Sequence, residues 1–286
     1  MQREMSMRIE KVINNNVISS RDGEGSELVV MGCGIGFGKK EGQNIDESKI
    51  EKIFKLENKD SLERFKALLK KLPLEYIQVS DEIISYAKEA LGKELNENVY
   101  LTLTDHIGFA VDRFKEGMLF TNALFEEIKM FYSNEYTVGC HALYLIEKKT
   151  GIKLLEDEAA SIAIHIVNAE FNSAISTTFT LTQMMRDMME IIEKEMPACK
   201  AQSYQPDKLA INFKYLVHRM LTELPEQSKG DEILFDFVRN HCEQEYRLIH
   251  KVNSFIEEKY NCFMTEEESI YLALNVKRIN DLYAEN

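Results

Sequence analysis

Two stretches of this chain, 110 residues apart, follow one pattern. Glu156-Asp157-Glu158 followed by Ile162-Ala163-Ile164-His165-Ile166 aligns with Glu266-Glu267-Glu268 followed by Leu272-Ala273-Leu274-Asn275-Val276. The flanks stay in register, with Ile146-Glu147 against Ile256-Glu257 and Gly151 against Asn261. Apolar residues at spacings of three and four mark an amphipathic helix, so the repeat predicts one helical unit built twice. The copies differ where chemistry is concerned, with His165 in the first and Asn275 in the second. A fainter landmark precedes each: His106 lies 59 residues before His165, and His218 lies 57 before Asn275.

The N-terminal segment has another character. Ile9, Val12, Ile13, Val17 and Ile18, then Leu28, Val29, Val30 and Met31, are short β-branched or apolar runs broken by Asn14-Asn15-Asn16 and by glycines. They predict antiparallel strands joined by hairpins, with Asp22-Gly23-Glu24-Gly25 as a turn. Helical spacing takes over near Leu62. It predicts helices over Ser61–Lys71, Ser80–Leu91, Val99–Phe114, Ala123–Tyr132, Gly139–Lys149 and Glu156–Asn168, then Met184–Met196, Lys208–Leu224, Ile233–Tyr260 and Thr265–Leu282. Thr265 with Glu268 forms a capping-box signature. The expected architecture is multidomain: a small antiparallel β domain over residues 1–62, then two all-α helical-bundle domains over 70–175 and 176–286.

Composition removes several classes of function. No apolar window of about 18 residues occurs, so a membrane-spanning helix is not expected. Arg3, Glu4, Arg8, Glu10 and Lys11 rule out a secretory leader within the first 20 residues. Five scattered cysteines without a CxxC pair fit a reducing cytoplasm. The net charge of −13 argues at first against a nucleic-acid ligand. Its distribution matters more: residues 1–60 carry 10 Lys and Arg against 11 Asp and Glu, whereas the rest carry 25 against 37. The small β domain is therefore near neutral and can present a basic face to RNA, with a field that salt screens easily.

Two constellations carry chemistry. His106 and His165 recur at a spacing that a generic core histidine has no reason to keep, although a buried, hydrogen-bonded imidazole remains the plain alternative. Neutral imidazole is nucleophilic near its pKa and accepts a phosphoryl group, which would add charge to a face holding Asp105, Asp157 and Glu158. Metal binding is a rival reading, but neither histidine has a ligand partner at i+3 or i+4. His141, His241 and His250 lie outside the repeated landmarks.

The second constellation is Gly32-Cys33-Gly34-Ile35-Gly36-Phe37-Gly38-Lys39-Lys40. A P-loop would need glycine where Cys33 stands and a hydroxyl residue where Lys40 stands, and a dinucleotide fingerprint would need glycine at Phe37. Either this is a glycine-rich hairpin, or it brings bare backbone up to a nucleic acid. In the second case Phe37 stacks on a base, Lys39 and Lys40 face phosphates, and Asn14 and Asn16 offer amides to base edges. Motifs for nucleophilic catalysis or a cofactor loop are lacking. The sequence predicts a non-enzymatic protein without cofactor or metal.

Together these residues resemble the BglG/SacY/LicT family of bacterial transcriptional antiterminators. Lys11-Val12-Ile13-Asn14-Asn15-Asn16-Val17 and Gly32-x-Gly34-Ile35-Gly36-Phe37 look like the family's co-antiterminator RNA-binding domain. Thr104-Asp105-His106-Ile107 and Asp157-Glu158-Ala159, with Ile162, Ala163 and His165 to Ala169, look like the histidine signatures of its phosphotransferase regulation domain. The resemblance runs from Met7 to about Arg278. It implies a homodimer that clamps a hairpin in nascent RNA and so prevents a terminator, with RNA contacts from Lys11, Asn14, Asn16, Gly32, Cys33 and Phe37. It also implies phosphorylation of His106 and His165 by a sugar-specific phosphotransferase transporter, of the β-glucoside type, and of His218 by the carrier HPr. A protein-interaction module with weakened or lost RNA binding is the alternative.

The chain departs from the family pattern twice. Cys33 stands where LicT-like members often carry arginine, which puts RNA affinity or target choice in question. Asn275 stands where the fourth histidine belongs, and asparagine keeps a hydrogen bond but cannot be phosphorylated.

Overall fold

A computed structural model describes residues 7–55, 58–199, 206–222 and 232–283. Strands β1 (Lys11–Asn14), β2 (Val17–Arg21), β3 (Glu27–Met31) and β4 (Lys52–Phe54) form one antiparallel sheet in chain order. The first two turns are built by side chains that mimic backbone acceptors. Asn14 Oδ1 accepts the Asn16 N–H at 2.8 Å, where the register between β1 and β2 slips. Asp22 Oδ1 accepts the N–H groups of Glu24 and Ser26 at 3.0 and 2.8 Å, and Gly25 takes φ +85° to close the predicted turn.

Eleven α-helices follow among the described residues. They are α1 (Lys59–Leu69), α2 (Leu74–Leu91), α3 (Val99–Lys115), α4 (Phe125–Phe131), α5 (Ser133–Thr150), α6 (Asp157–Phe171), α7 (Ile175–Glu195), α8 (Pro206–Thr222), α9 (Glu232–His241), α10 (Glu243–Tyr260) and α11 (Glu266–Tyr283). The expected order, a small antiparallel sheet followed by helical bundles, is the order found. Two compact units result: Met1–Asn122 with Asn134–Ser173, and Ala123–Ser133 with Ala174–Asn286.

In the first unit, alternation along the strands gives the sheet two apolar faces. Ile13, Val17, Val29, Met31 and Phe54 join Leu62, Phe65 and Leu69 of α1 and the core of α2 and α3. Phe54 meets the Phe65 and Tyr100 rings edge-on, with centroids 5.2 and 5.0 Å away. The buried Lys66 reinforces this seam by pairing with Glu27 of β3 and, at 2.7 Å, with Glu63. The opposite face, Ile18 and Val30, packs with Ile9, Ile35 and Ile45 from the segments flanking the sheet.

The repeat is visible in the backbone. Tyr132, between α4 and α5, has φ −128° and ψ 45°, and its counterpart Cys242, between α9 and α10, has φ −129° and ψ 40°. Ile233–Tyr260, expected as one helix, is therefore two, broken by a kink that neither proline nor glycine marks. Gly151 and Asn261 both adopt positive φ, +72° and +54°, the left-handed conformation that ends a helix. A tyrosine–carboxylate hydrogen bond also recurs, Tyr136 to Glu156 at 2.5 Å and Tyr246 to Glu266 at 2.6 Å.

A further difference from the sequence reading has a local cause. Helix α7 begins at Ile175 rather than Met184, because Thr178, Thr180 and Thr182 hide its first turns. Threonine has low helix propensity, yet Thr180 and Thr182 return their hydroxyls to carbonyls one turn back, at 3.0 and 2.8 Å. Helix α4, which the repeat pairs with α9, packs against α7 and α8 in the second unit. Arg186 of α7 reaches Glu127 of α4 at 3.3 Å.

Phe54→Ala should cost about 3–5 kcal/mol, the usual range for truncating a fully buried phenylalanine. Urea unfolding of the variant should show a midpoint shifted down, with little change in slope.

Candidate functional site

The glycine segment folds as consecutive tight turns laid over the β1–β2 turn. The Gly32 N–H donates to Asn16 O at 2.9 Å, the Gly34 N–H to Asn16 Oδ1 at 2.9 Å, and the Gly36 N–H to Asn15 O at 3.0 Å. Two glycines are there for close approach: a Cβ on Gly32 would lie 1.7 Å from Lys49 O, and one on Gly36 would lie 2.4 Å from Asn14 O. Ile35 is buried among Ile9, Ile18 and Val30 and anchors the segment. Two residues on, Phe37 stands 72% exposed between Gly36 and Gly38. A solvent-facing aromatic ring on a glycine loop is well suited to stack on a base.

The other N-terminal residues singled out in the sequence gather around this loop to different degrees. Cys33 is exposed, with its N–H donating to Glu51 Oε1 at 3.0 Å. Lys11 and Lys40 are exposed and Lys39 is half-buried. Asn14 uses its amide within the chain: Oδ1 accepts from Asn16, while Nδ2 donates to Leu69 O at the end of α1, at 2.7 Å. The other Glu51 carboxylate oxygen accepts from Gln78 of α2 at 2.8 Å. Side chains therefore tie α1 and α2 to the two turns that carry Asn14, Asn16 and Cys33.

His106 on α3 and His165 on α6 come together where those helices pack, with ring centroids 4.8 Å apart. Glu158 lies 3.2 Å from His106 Nε2 without hydrogen-bond alignment, and it pairs with Arg113. Arg113 follows His106 by seven residues and His165 follows Glu158 by seven. Two helical turns keep each pair on one face. That spacing is the sequence signal by which Arg113 can be found. The Arg113 guanidinium also lies 4.2 Å from the Phe120 ring centre and 5.2 Å from that of Phe109. Of the acids expected near His106, only Glu158 meets it: Asp105 is exposed, and Asp157 accepts the Asn122 N–H at 2.7 Å.

Burial sets the charge states. Desolvation works to raise the Glu158 carboxyl, but His106 and Arg113 outweigh it and the net shift is down. His165 is 8% exposed, and its Nδ1 is buried without a hydrogen bond. Burial, helped by the neighbouring His106, pushes its pKa down from 6.5 to about 3. His165 is thus a neutral imidazole, the protonation state a phosphoryl acceptor needs.

In the second unit His218 is half-buried on α8, and the next residue, Arg219, grips Glu268, the repeat counterpart of Glu158, through Nε at 2.8 Å and a terminal nitrogen. The predicted capping box is formed, with the Thr265 N–H donating to Glu268 at 2.7 Å and the Glu268 N–H to Thr265 Oγ1 at 3.3 Å. Asn275 donates to Tyr271 O, one turn back, at 2.8 Å. Among the described residues no three His, Cys, Asp or Glu side chains cluster as a metal site, and no helix is long and apolar enough to cross a membrane.

The depressed pKa of His165 has a thermodynamic consequence. The unfolded chain protonates this residue near 6.5, whereas the folded chain resists down to about 3. The unfolded state therefore binds more protons in that window, and stability falls as pH drops through it. Relative to His165→Asn, the wild type should lose about 1.4 kcal/mol per pH unit below that upper limit. Denaturant unfolding of both chains from neutral pH to about pH 5 measures this. A pH-independent difference would refute a buried neutral imidazole.

Residues 7–63 match the CAT RNA binding domain and residues 81–169 match the PRD domain. The chain is 41% identical to "Transcription antiterminator LicT" of Bacillus subtilis (strain 168), over 96% of this chain and 99% of that protein. It is 34% identical to "Beta-glucoside operon antiterminator" of Dickeya chrysanthemi, over 96% of each. The crystal structure of GlcT CAT-PRDI aligns with a TM-score of 0.52 and 34% identity, covering 58% of this chain and 98% of that one. The chain belongs to the BglG/SacY/LicT family of transcriptional antiterminators.

Proposed function

We propose that this chain is a sugar-operon antiterminator that binds a hairpin in nascent RNA, prevents the competing terminator, and is switched by histidine phosphorylation from the sugar phosphotransferase system. The observation that carries the RNA half is Phe37, exposed on a glycine loop pinned by Ile35 and Asn16 within the matched RNA-binding domain. Lys11, Asn14, Asn16, Gly32, Cys33 and Phe37 form the RNA surface, and the β domain acts as a homodimer. The histidine pair at the packing of α3 and α6 carries the regulatory half. A β-glucoside-type transporter acts on His106 and His165, and HPr acts on His218 to activate. The working division is 1–62 for RNA, 70–175 and 176–286 for regulation. The protein works in the cytoplasm, catalyses no reaction and requires no cofactor.

Cys33 favours a second reading, an interaction module that senses phosphorylation while binding RNA weakly. Cysteine offers neither charge nor a fork of donors where arginine would contact phosphate or a guanine edge.

Titrating the full chain against a fluorescent antiterminator hairpin at low salt separates the two. Tight, sequence-selective binding supports the first, and Phe37→Ala should then weaken it by about 1–3 kcal/mol, the worth of one stacked base. Binding too weak to detect, restored by Cys33→Arg, supports the second. No selective binding by either chain would sink the RNA claim.

A further inference from the structure

Glu158 occupies the ground next to His106 that a phosphoryl group would need. Glu158 is 4% exposed, and its carboxylate lies 3.2 Å from His106 Nε2 and is paired with Arg113. A phosphoryl on that nitrogen would bring nearly two negative charges against the carboxylate. Two anions do not share a dry site unless one yields its cation to the other. Arg113 is the cation at hand, and its planar fork suits a phosphoryl group as well as a carboxylate. We propose that Glu158 is an internal placeholder for the phosphoryl group on His106, and that Arg113 passes from the carboxylate to the phosphoryl when His106 is modified. The inference rests on reading His106 as a phosphoryl acceptor.

An order of events follows. Glu158 sits in the first turn of α6, two turns before His165 on the same helical face. Displacing it loosens the packing that covers His165, whose Nδ1 is sealed from solvent in the closed arrangement. His106 is therefore modified before His165. In the transfer, the Nε2 lone pair of neutral His106 forms the new nitrogen–phosphorus bond. The bond from phosphorus to the donor breaks, and its electron pair leaves on the donor atom, which takes up a proton where its chemistry requires one.

The second unit supports the importance of the pair. Glu268, at the position of Glu158 in the repeat, is gripped by Arg219 from the helix that carries His218. Arg113 stands seven residues after its histidine and Arg219 only one after. The arginine–carboxylate contact is thus common to both copies although the arginine is not at a common position.

The test treats the full chain with phosphoramidate, a small phosphoryl donor that needs no docking partner, and in parallel with phosphorylated HPr and a phosphorylated transporter component. Phosphate at each histidine is followed by peptide mapping under alkaline conditions. Glu158→Gln should raise the initial rate at His106 at least roughly tenfold, the worth of a hydrogen bond to a charged group, and Arg113→Gln should lower it comparably. Arg113→Lys should recover part of the loss, and wild-type label should reach His106 before His165. Loss of fold would expose the histidine in both glutamine variants and move their rates the same way, so rates that rise in both or fall in both overturn the proposal. Label reaching His165 first overturns it too, as does an unlabelled wild-type His106 with every donor. Opposite shifts with phosphoramidate, but no label from either protein donor, would uphold the placeholder and refute the regulatory reading.

Discussion

The apolar sheet face formed by Ile13, Val17, Val29, Met31 and Phe54 closes on helices, and most of the first unit's arrangement depends on that closure. A four-stranded sheet with short strands cannot shield its own face from water. Helix α1 does so by inserting Phe65 and Leu69, which brings Leu69 O within reach of Asn14. The same closure puts Gln78 of α2 against Glu51, whose other oxygen holds the Cys33 N–H. Hydrophobic burial therefore decides where the polar residues of the glycine loop stand.

Desolvation governs the histidine pair in a similar way. A buried carboxylate is costly unless cations and donors surround it, and Glu158 meets that demand through Arg113 and His106. A buried imidazole escapes the same cost by staying neutral, as His165 does. The two solutions are coupled, since a proton on His106 would steady Glu158 and at the same time discourage a proton on His165. Any charge added to one member of the group changes the energetics of the others.

Much of this is legible in the sequence because it depends on periodicity. Alternation marks the strands, spacings of three and four mark the helices, and the 110-residue shift announces the duplicated unit. The glycine loop is legible as a special segment because its glycines answer two backbone demands, close approach at Gly32 and Gly36 and positive φ at Gly34 and Gly38. The break at Cys242 is hidden because no punctuating residue marks it, though the repeat betrays it through Tyr132. The internal hydrogen bonds of Asn14 are hidden for another reason: they depend on the placement of α1, which is a tertiary fact. Glu158 is readable as an acid near a histidine, but its role as partner of Arg113 needs the crossing of α3 and α6.

The two copies separate what shapes the unit from what gives it chemistry. Backbone devices survive exchange of the side chain: the kink forms at Tyr132 and at Cys242, and the left-handed helix end forms at Gly151 and at Asn261. Such positions ask only that certain dihedral angles be affordable, so more than one residue type satisfies them. Chemistry is less tolerant. At His165 and Asn275 the helix is the same, yet only the imidazole has a nitrogen lone pair able to take a phosphoryl group, while the amide returns to a carbonyl of its own helix. A duplicated scaffold can therefore keep its shape while the number of groups available for modification falls, and a helix pattern that predicts the fold twice predicts the phosphate chemistry only where the imidazole remains.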